Sequence, residues 1–211
     1  PHIMTPETTA AAQMRTSLAA PDAGRFRSLL WAALAAGLVL RLAVLASTAS
    51  LGTPIADEQH YARLGANLLA GHGFAMEPGQ PTSIRPPLYP AMLAMIWAVA
   101  GSGNLQAVRA VQIGLSLVTA WLAYLLGRRL YGPAVGRLGA VVCWLYPSLV
   151  FSNSLILTET LFTLLLLAFV VLAVRLVQEP SFAAAAACGA ALAAAALTRS
   201  VLWPTPFLLC P

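Results

Sequence analysis

Apolar runs long enough to cross a bilayer recur from Ser28 onward, and charge is so sparse between them that water cannot be the solvent for most of the chain. Apolar residues make up 59% of the 211 and charged residues only 9%, more hydrophobic surface than one soluble core hides. The expected fold class is an all-α, polytopic transmembrane helix bundle. All 12 cations are arginine, spread singly or in pairs and never gathered into a stripe that follows a phosphate backbone, so no nucleic-acid partner is expected. Cys143, Cys188 and Cys210 lie in apolar stretches without paired spacing, which points to neither a disulfide framework nor a zinc site.

The arginines set a topology. Residues 1–27 read as an N-terminal cytoplasmic tail, with residues 1–3 a cloning or processing remnant, and 28–211 as one transmembrane module of about five to six spans. Arg15, Arg25 and Arg27 stand before the first apolar run, 28–49, and place its start in the cytoplasm. The segment 50–87 is polar and rich in Gly and Pro, and it reads as a long first extracytoplasmic loop. Within it Pro54 opens and Gly71 closes a juxtamembrane helix, with Tyr61, Leu64 and Leu68 on one side.

The run Leu88–Ala100 decides the sidedness of everything after it, and it is short for a span, so it reads as interfacial or re-entrant. A second span then covers 110–127, and Arg128, Arg129, Arg137 and Arg175 fall inside, while Arg63, Arg85, Arg109 and Arg199 fall outside. A third span is expected at 138–151, a fourth at 160–176 and an Ala-rich fifth at 182–197; a sixth apolar segment begins near Val201. Close-spaced Ala favours tight packing of that fifth helix in lipid. The expected location is a bacterial inner membrane.

On this topology Asp57, Glu58, Arg85, Glu159 and Arg199 reach one extracytoplasmic face. Asp57 and Tyr61 are four residues apart and share a helix side, where a carboxylate can take a proton from an acceptor hydroxyl; two acids at a helix start also complement its dipole. Glu159 borders hydrocarbon and needs a cavity, a cation or an arginine such as Arg41; it is a candidate to orient substrate or to hold a divalent metal ion. Arg41, inside the first span, is expected to face the bundle interior. Arg85 is held extended by Pro86, and Arg199 ends the fifth span; a guanidinium at either place matches phosphate in two contacts, or, for Arg199, snorkels to the interface. His60 and His72 flank the loop helix without the spacing of a metal pair.

The order of features, from Asp57-Glu58-Gln59-His60-Tyr61 through Arg85-Pro86-Pro87-Leu88-Tyr89-Pro90, Gly127-Arg128-Arg129-Leu130-Tyr131-Gly132 and Tyr146-Pro147-Ser148 to Glu159 and Thr198-Arg199, resembles a known family. It is similar to the GT-C membrane glycosyltransferases, in particular the family 39 group of protein O-mannosyltransferases and the lipid A aminoarabinose transferase. The resemblance implies inverting transfer of a sugar from a polyprenyl phosphate to an extracytoplasmic acceptor. Asp57, with Glu58 beside it, takes the catalytic place, and Glu159 is similar to the family's acidic residue of the second outer loop; with the residue readings above, Tyr61, Arg85, Glu159 and Arg199 are the expected substrate-binding residues. The family often carries an arginine where this chain has Asn153. Members of the family are usually much longer, so the chain is expected to be an N-terminal half. The alternative is a shortened, non-catalytic scaffold with partner membrane subunits. The expected partners are otherwise the bilayer and the polyprenyl-phosphate sugar.

Overall fold

The computed structural model describes residues 23–205, with side chains from Ser28 onward. The tail 1–22 and the sixth apolar segment beyond Thr205 lie outside the described residues. Over the described residues the chain forms α1 (Ala23–Ser47), α2 (Ala56–Leu69), a hairpin of β1 (Ala75–Glu77) and β2 (Gln80–Pro81), then α3 (Leu88–Ala100), α4 (Leu105–Tyr131), α5 (Pro133–Leu145), α6 (Pro147–Ser152), α7 (Glu159–Gln178) and α8 (Phe182–Ala196), followed by a 3₁₀ turn, Ser200–Leu202. The fold is an all-α membrane helix bundle. The stretch Ser28–Ser47 of α1, with α4 and α7, is long and apolar enough to cross a bilayer; α3, α5 and α8 are shorter apolar helices.

Successive long elements run between two ends. At one end Arg109, near the start of α4, donates to Thr48 and Leu51 just past α1, and Leu88 at the start of α3 donates its N–H to the Leu197 carbonyl after α8 (3.1 Å). At the other, Arg129 of α4 pairs with Glu179 after α7 (2.6 Å). The tightest helix neighbours are α4 with α5, α7 with α8, α2 with α3, and α4 with α7. The α4–α5 hairpin closes to backbone contact because both helices carry glycine there: a Cβ on Gly136 would meet the Tyr124 carbonyl at 2.6 Å and the Arg128 nitrogen at 2.7 Å.

Helices α2 and α3 pack on each other at the first end, where Tyr61, Tyr89, Leu93, Trp97, Val108, Ile156 and Leu161 form the main buried apolar cluster. Tyr61 meets Tyr89 edge to face with ring centroids 5.2 Å apart. Gly65 lets Leu93 and Trp97 approach the α2 backbone, since a Cβ there would lie 2.9 Å from Leu93 Cβ. At 13 residues α3 is about 20 Å long and cannot cross hydrocarbon alone.

Three differences from the sequence expectation have physical causes. The helix expected at 110–127 starts earlier, because the Asn104 side chain caps it by accepting from the Ala107 N–H (3.0 Å). The third span, expected unbroken at 138–151, starts at Pro133 and breaks at Tyr146–Pro147, where proline supplies no N–H to continue the ladder. The loop expected after α2 holds a small hairpin, tethered to α2 by the Asn67 amide, which donates to the Ala75 carbonyl at 2.7 Å.

The glycine contact yields a test. Gly136→Ala is expected to destabilise the bundle by about 1–3 kcal/mol through overpacking against fixed backbone. Gly114→Ala, with nothing within 4 Å of the added carbon, should leave stability unchanged or slightly raised. Thermal unfolding in detergent micelles reads both.

Candidate active site

The site is built on a seam of polar residues along α4. Arg109, Gln112, Ser116 and Thr119 recur at spacings of three and four, so they lie on one face, and all are buried. In hydrocarbon such groups need partners, and the chain supplies them from the non-helical stretch between α6 and α7. Arg109 donates to the Ser154 carbonyl (2.8 Å), to Thr48 (2.9 Å) and to Leu51 and Gly52 (3.0 and 3.2 Å). Gln112 donates to the carbonyls of Asn153 (3.0 Å) and Leu155 (2.8 Å) and accepts from the Tyr89 hydroxyl (3.0 Å).

Asn153 is the hub between this seam and α1. Its Oδ1 accepts from Arg41 Nε at 3.0 Å, and its Nδ2 donates to Ser116 Oγ (2.7 Å) and Thr160 Oγ1 (3.2 Å). Arg41 is buried, as expected, and its guanidinium lies 3.8 Å from the centroid of the Trp144 ring and donates to the Trp144 carbonyl (2.7 Å) beside the Pro147 break. That ring fits because Gly37 presents no side chain to it.

The two neighbouring acids of α2 have opposite surroundings. Glu58 is fully buried: one carboxylate oxygen accepts from the Ile55 N–H at the helix start (3.1 Å), the other from the Ile156 N–H (2.8 Å). It therefore clamps the start of α2 to the stretch leading into α7, within Coulombic range of Arg109. Asp57, one residue earlier, has a side chain 50% exposed and paired with Arg85.

Asp57, Tyr61, Arg85, Thr158, Glu159 and Arg199 surround one open cavity of about 310 Å³, completed by Ile84, Pro86, Leu157 and the 198–201 turn. Five of the six residues expected from the sequence to be catalytic or substrate-binding thus line it, and Glu58 does not. Arg85 also lies 3.3 Å from His60 Nδ1 and stands over the Tyr61 ring, 5.4 Å from its centroid. Glu159 pairs with Arg199 (3.3 Å) and not with Arg41, and its second oxygen is buried without a partner among the described residues. Arg199 in turn lies 5.5 Å from the centroid of the Phe162 ring. No group of three His, Cys, Asp or Glu side chains that would hold a metal ion forms among the described residues, so Glu159 has no such ligand set beside it.

Burial raises the Tyr61 phenol above its ordinary value of 10.0, partly offset by the Arg85 charge and a hydrogen bond with Thr158. The phenol stays neutral at physiological pH, so it can hold a hydroxyl or a phosphate oxygen but cannot act as the base. The sequence reading passed over Gln112 and met Asn153 only as a departure from the family; the polar spacing at 109, 112, 116 and 119 inside an apolar run is the signal that marks Gln112.

The fold and this cavity define an integral membrane protein with a charged, solvent-facing site at one end of its bundle. Residues 84–209 match the model of the dolichyl-phosphate-mannose-protein mannosyltransferase family, and over more than half of its length the chain belongs to that family. The matched range includes Arg85, Glu159 and Arg199; Asp57, Glu58 and Tyr61 lie ahead of it. Neither the curated proteins nor the solved structures give a match.

Two measurements check the geometry. Glu58→Gln replaces one acceptor oxygen by an amide group facing a backbone N–H, and is expected to cost about 1–3 kcal/mol of stability, while Asp57→Asn leaves thermal unfolding close to that of the parent. In alkaline titration, the phenolate absorbance lost in Tyr61→Phe should belong to a group ionising above pH 10.0. Because the folded value is the raised one, the stability this tyrosine contributes is complete below the ordinary value and declines as pH climbs beyond it.

Proposed function

We propose that the cavity transfers a sugar from a polyprenyl-phosphate donor to an acceptor hydroxyl at the extracytoplasmic face. The observation that carries this reading is the meeting of two carboxylates and two guanidinium groups around one cavity at the end of a bundle of this family. The arginine-rich opposite end supports a cytoplasmic location for it and for the N-terminus, as in a bacterial inner membrane.

Asp57 is the half-exposed carboxylate with its side chain on the cavity, and it serves as the base that takes the proton from the attacking hydroxyl. Arg85 and Arg199 take the oxygens of the departing prenyl phosphate, where planar guanidinium groups match the developing charge. Glu159 holds Arg199 at the mouth of α7, and Tyr61 offers a neutral hydroxyl to the bound substrate. Attack on the anomeric carbon opposite the phosphate inverts the configuration: the C–O bond to the acceptor forms as the bond to phosphate breaks. Glu58 is assigned a positioning role, because both its oxygens are already engaged by backbone N–H groups.

In proteoliposomes containing a prenyl-phosphate mannose donor, Asp57→Asn should lower transfer by at least about 100-fold, within the usual contribution of a general base. Mannose transfer at the parent rate by this variant, with its fold intact, would sink the assignment.

A further inference from the structure

Arg41 is 1% exposed, and each nitrogen of its guanidinium needs an acceptor. Nε donates to Asn153, and Nη1 donates to the carbonyls of Gly37 (3.2 Å) and Trp144 (2.7 Å). Nη2 is buried and meets no acceptor among the described residues. A buried charged donor left unpaired is costly, and protein interiors nearly always supply a partner, whether a protein group or an ordered water.

The surroundings decide which partner. In the planar guanidinium Nη2 shares an edge with Nε, so it faces the side on which Asn153 lies. Ser116 and Thr160, both bonded to Asn153, line a cavity of about 10 Å³ together with Arg41, Thr119, Ser152 and Thr163. That is about the least space that holds one water, and no organic ligand fits it. The hydroxyls set its polarity. Thr119 donates to the Leu115 carbonyl (2.9 Å), Ser152 to that of Leu149 (3.0 Å) and Thr163 to that of Glu159 (2.7 Å), each within its own helix. With its one hydrogen spent, each of these three turns only lone pairs to the cavity. An anion would gain Arg41 but face those lone pairs, and a cation would face Arg41. A water accepts from the guanidinium and still has two hydrogens for hydroxyl oxygens.

We propose that this cavity binds one ordered water molecule, which accepts from Arg41 Nη2 and donates to two of the hydroxyls of Thr119, Ser152 and Thr163, tying α1 to the helices around it. The inference does not depend on the sugar-transfer reading, since the two cavities share no lining residue. A crystal structure of the purified protein grown in bromide tests it. The expected result is one peak within hydrogen-bond distance of Arg41 Nη2 and of two hydroxyl oxygens, without anomalous bromide signal. An anomalous peak at that place, or no density beside a well-ordered Arg41, would overturn the proposal. Thermal unfolding gives a second reading. Thr119→Val combined with Thr163→Val keeps the shape of the walls and removes two acceptors, so the midpoint should fall by about 2–4 °C, the shift of one lost hydrogen bond in a chain of this size. A midpoint at or above the parent's means a dry cavity and counts against the water.

Discussion

A guanidinium buried where several helix ends meet holds the site end of this protein together. Arg109 has donors enough for four carbonyls, and it uses them on the turn after α1 and on the stretch before α7. Those carbonyls belong to backbone outside the helices, which has no helical ladder of its own to hold it in place. Glu58 answers from the other side by accepting two backbone N–H groups. Between them, one cation and one anion fix the stretch that delivers Thr158 and Glu159 to the cavity.

This arrangement separates buried charge from charge at the cavity. Arg41, Glu58 and Arg109 are buried and bonded to fixed partners, whereas Asp57, Glu159 and Arg199 keep side chains 41–50% exposed around the opening, with Arg85 more enclosed between Asp57 and Tyr61. The exposed pairs are held by single contacts in a screened setting, so an anionic substrate can exchange with a carboxylate at modest cost. The buried ones cannot exchange without leaving a charge uncompensated.

Much of this was legible in the sequence, because hydropathy and arginine placement obey long-range physical constraints that leave strong marks. The bundle, the non-crossing length of α3, the loop helix α2 and the gathering of Asp57, Tyr61, Arg85, Glu159 and Arg199 at one end follow from span lengths and sidedness. What could not be read was the division of labour between adjacent acids: Asp57 and Glu58 differ by one position, about 100° around a helix, and the packing of Ile156 against α2 decides which faces inward. The break at Pro147 was visible as a residue but not as a break, since proline inside an apolar run also occurs in kinked spans. Partners for Gln112 and Asn153 depend on tertiary proximity that no local pattern encodes.

The stretch between α6 and α7 also has a consequence for biogenesis. Its partners are synthesised well before it: Glu58 precedes Ile156 by 98 residues and Arg109 precedes Ser154 by 45. Until ribosomal synthesis passes Ile156, Glu58 lacks one of its two backbone donors and Arg109 one of its four carbonyls. The last contact of each charge thus forms only once the stretch before α7 has been made, and it joins helices from the first and middle thirds of the chain to a stretch of the last.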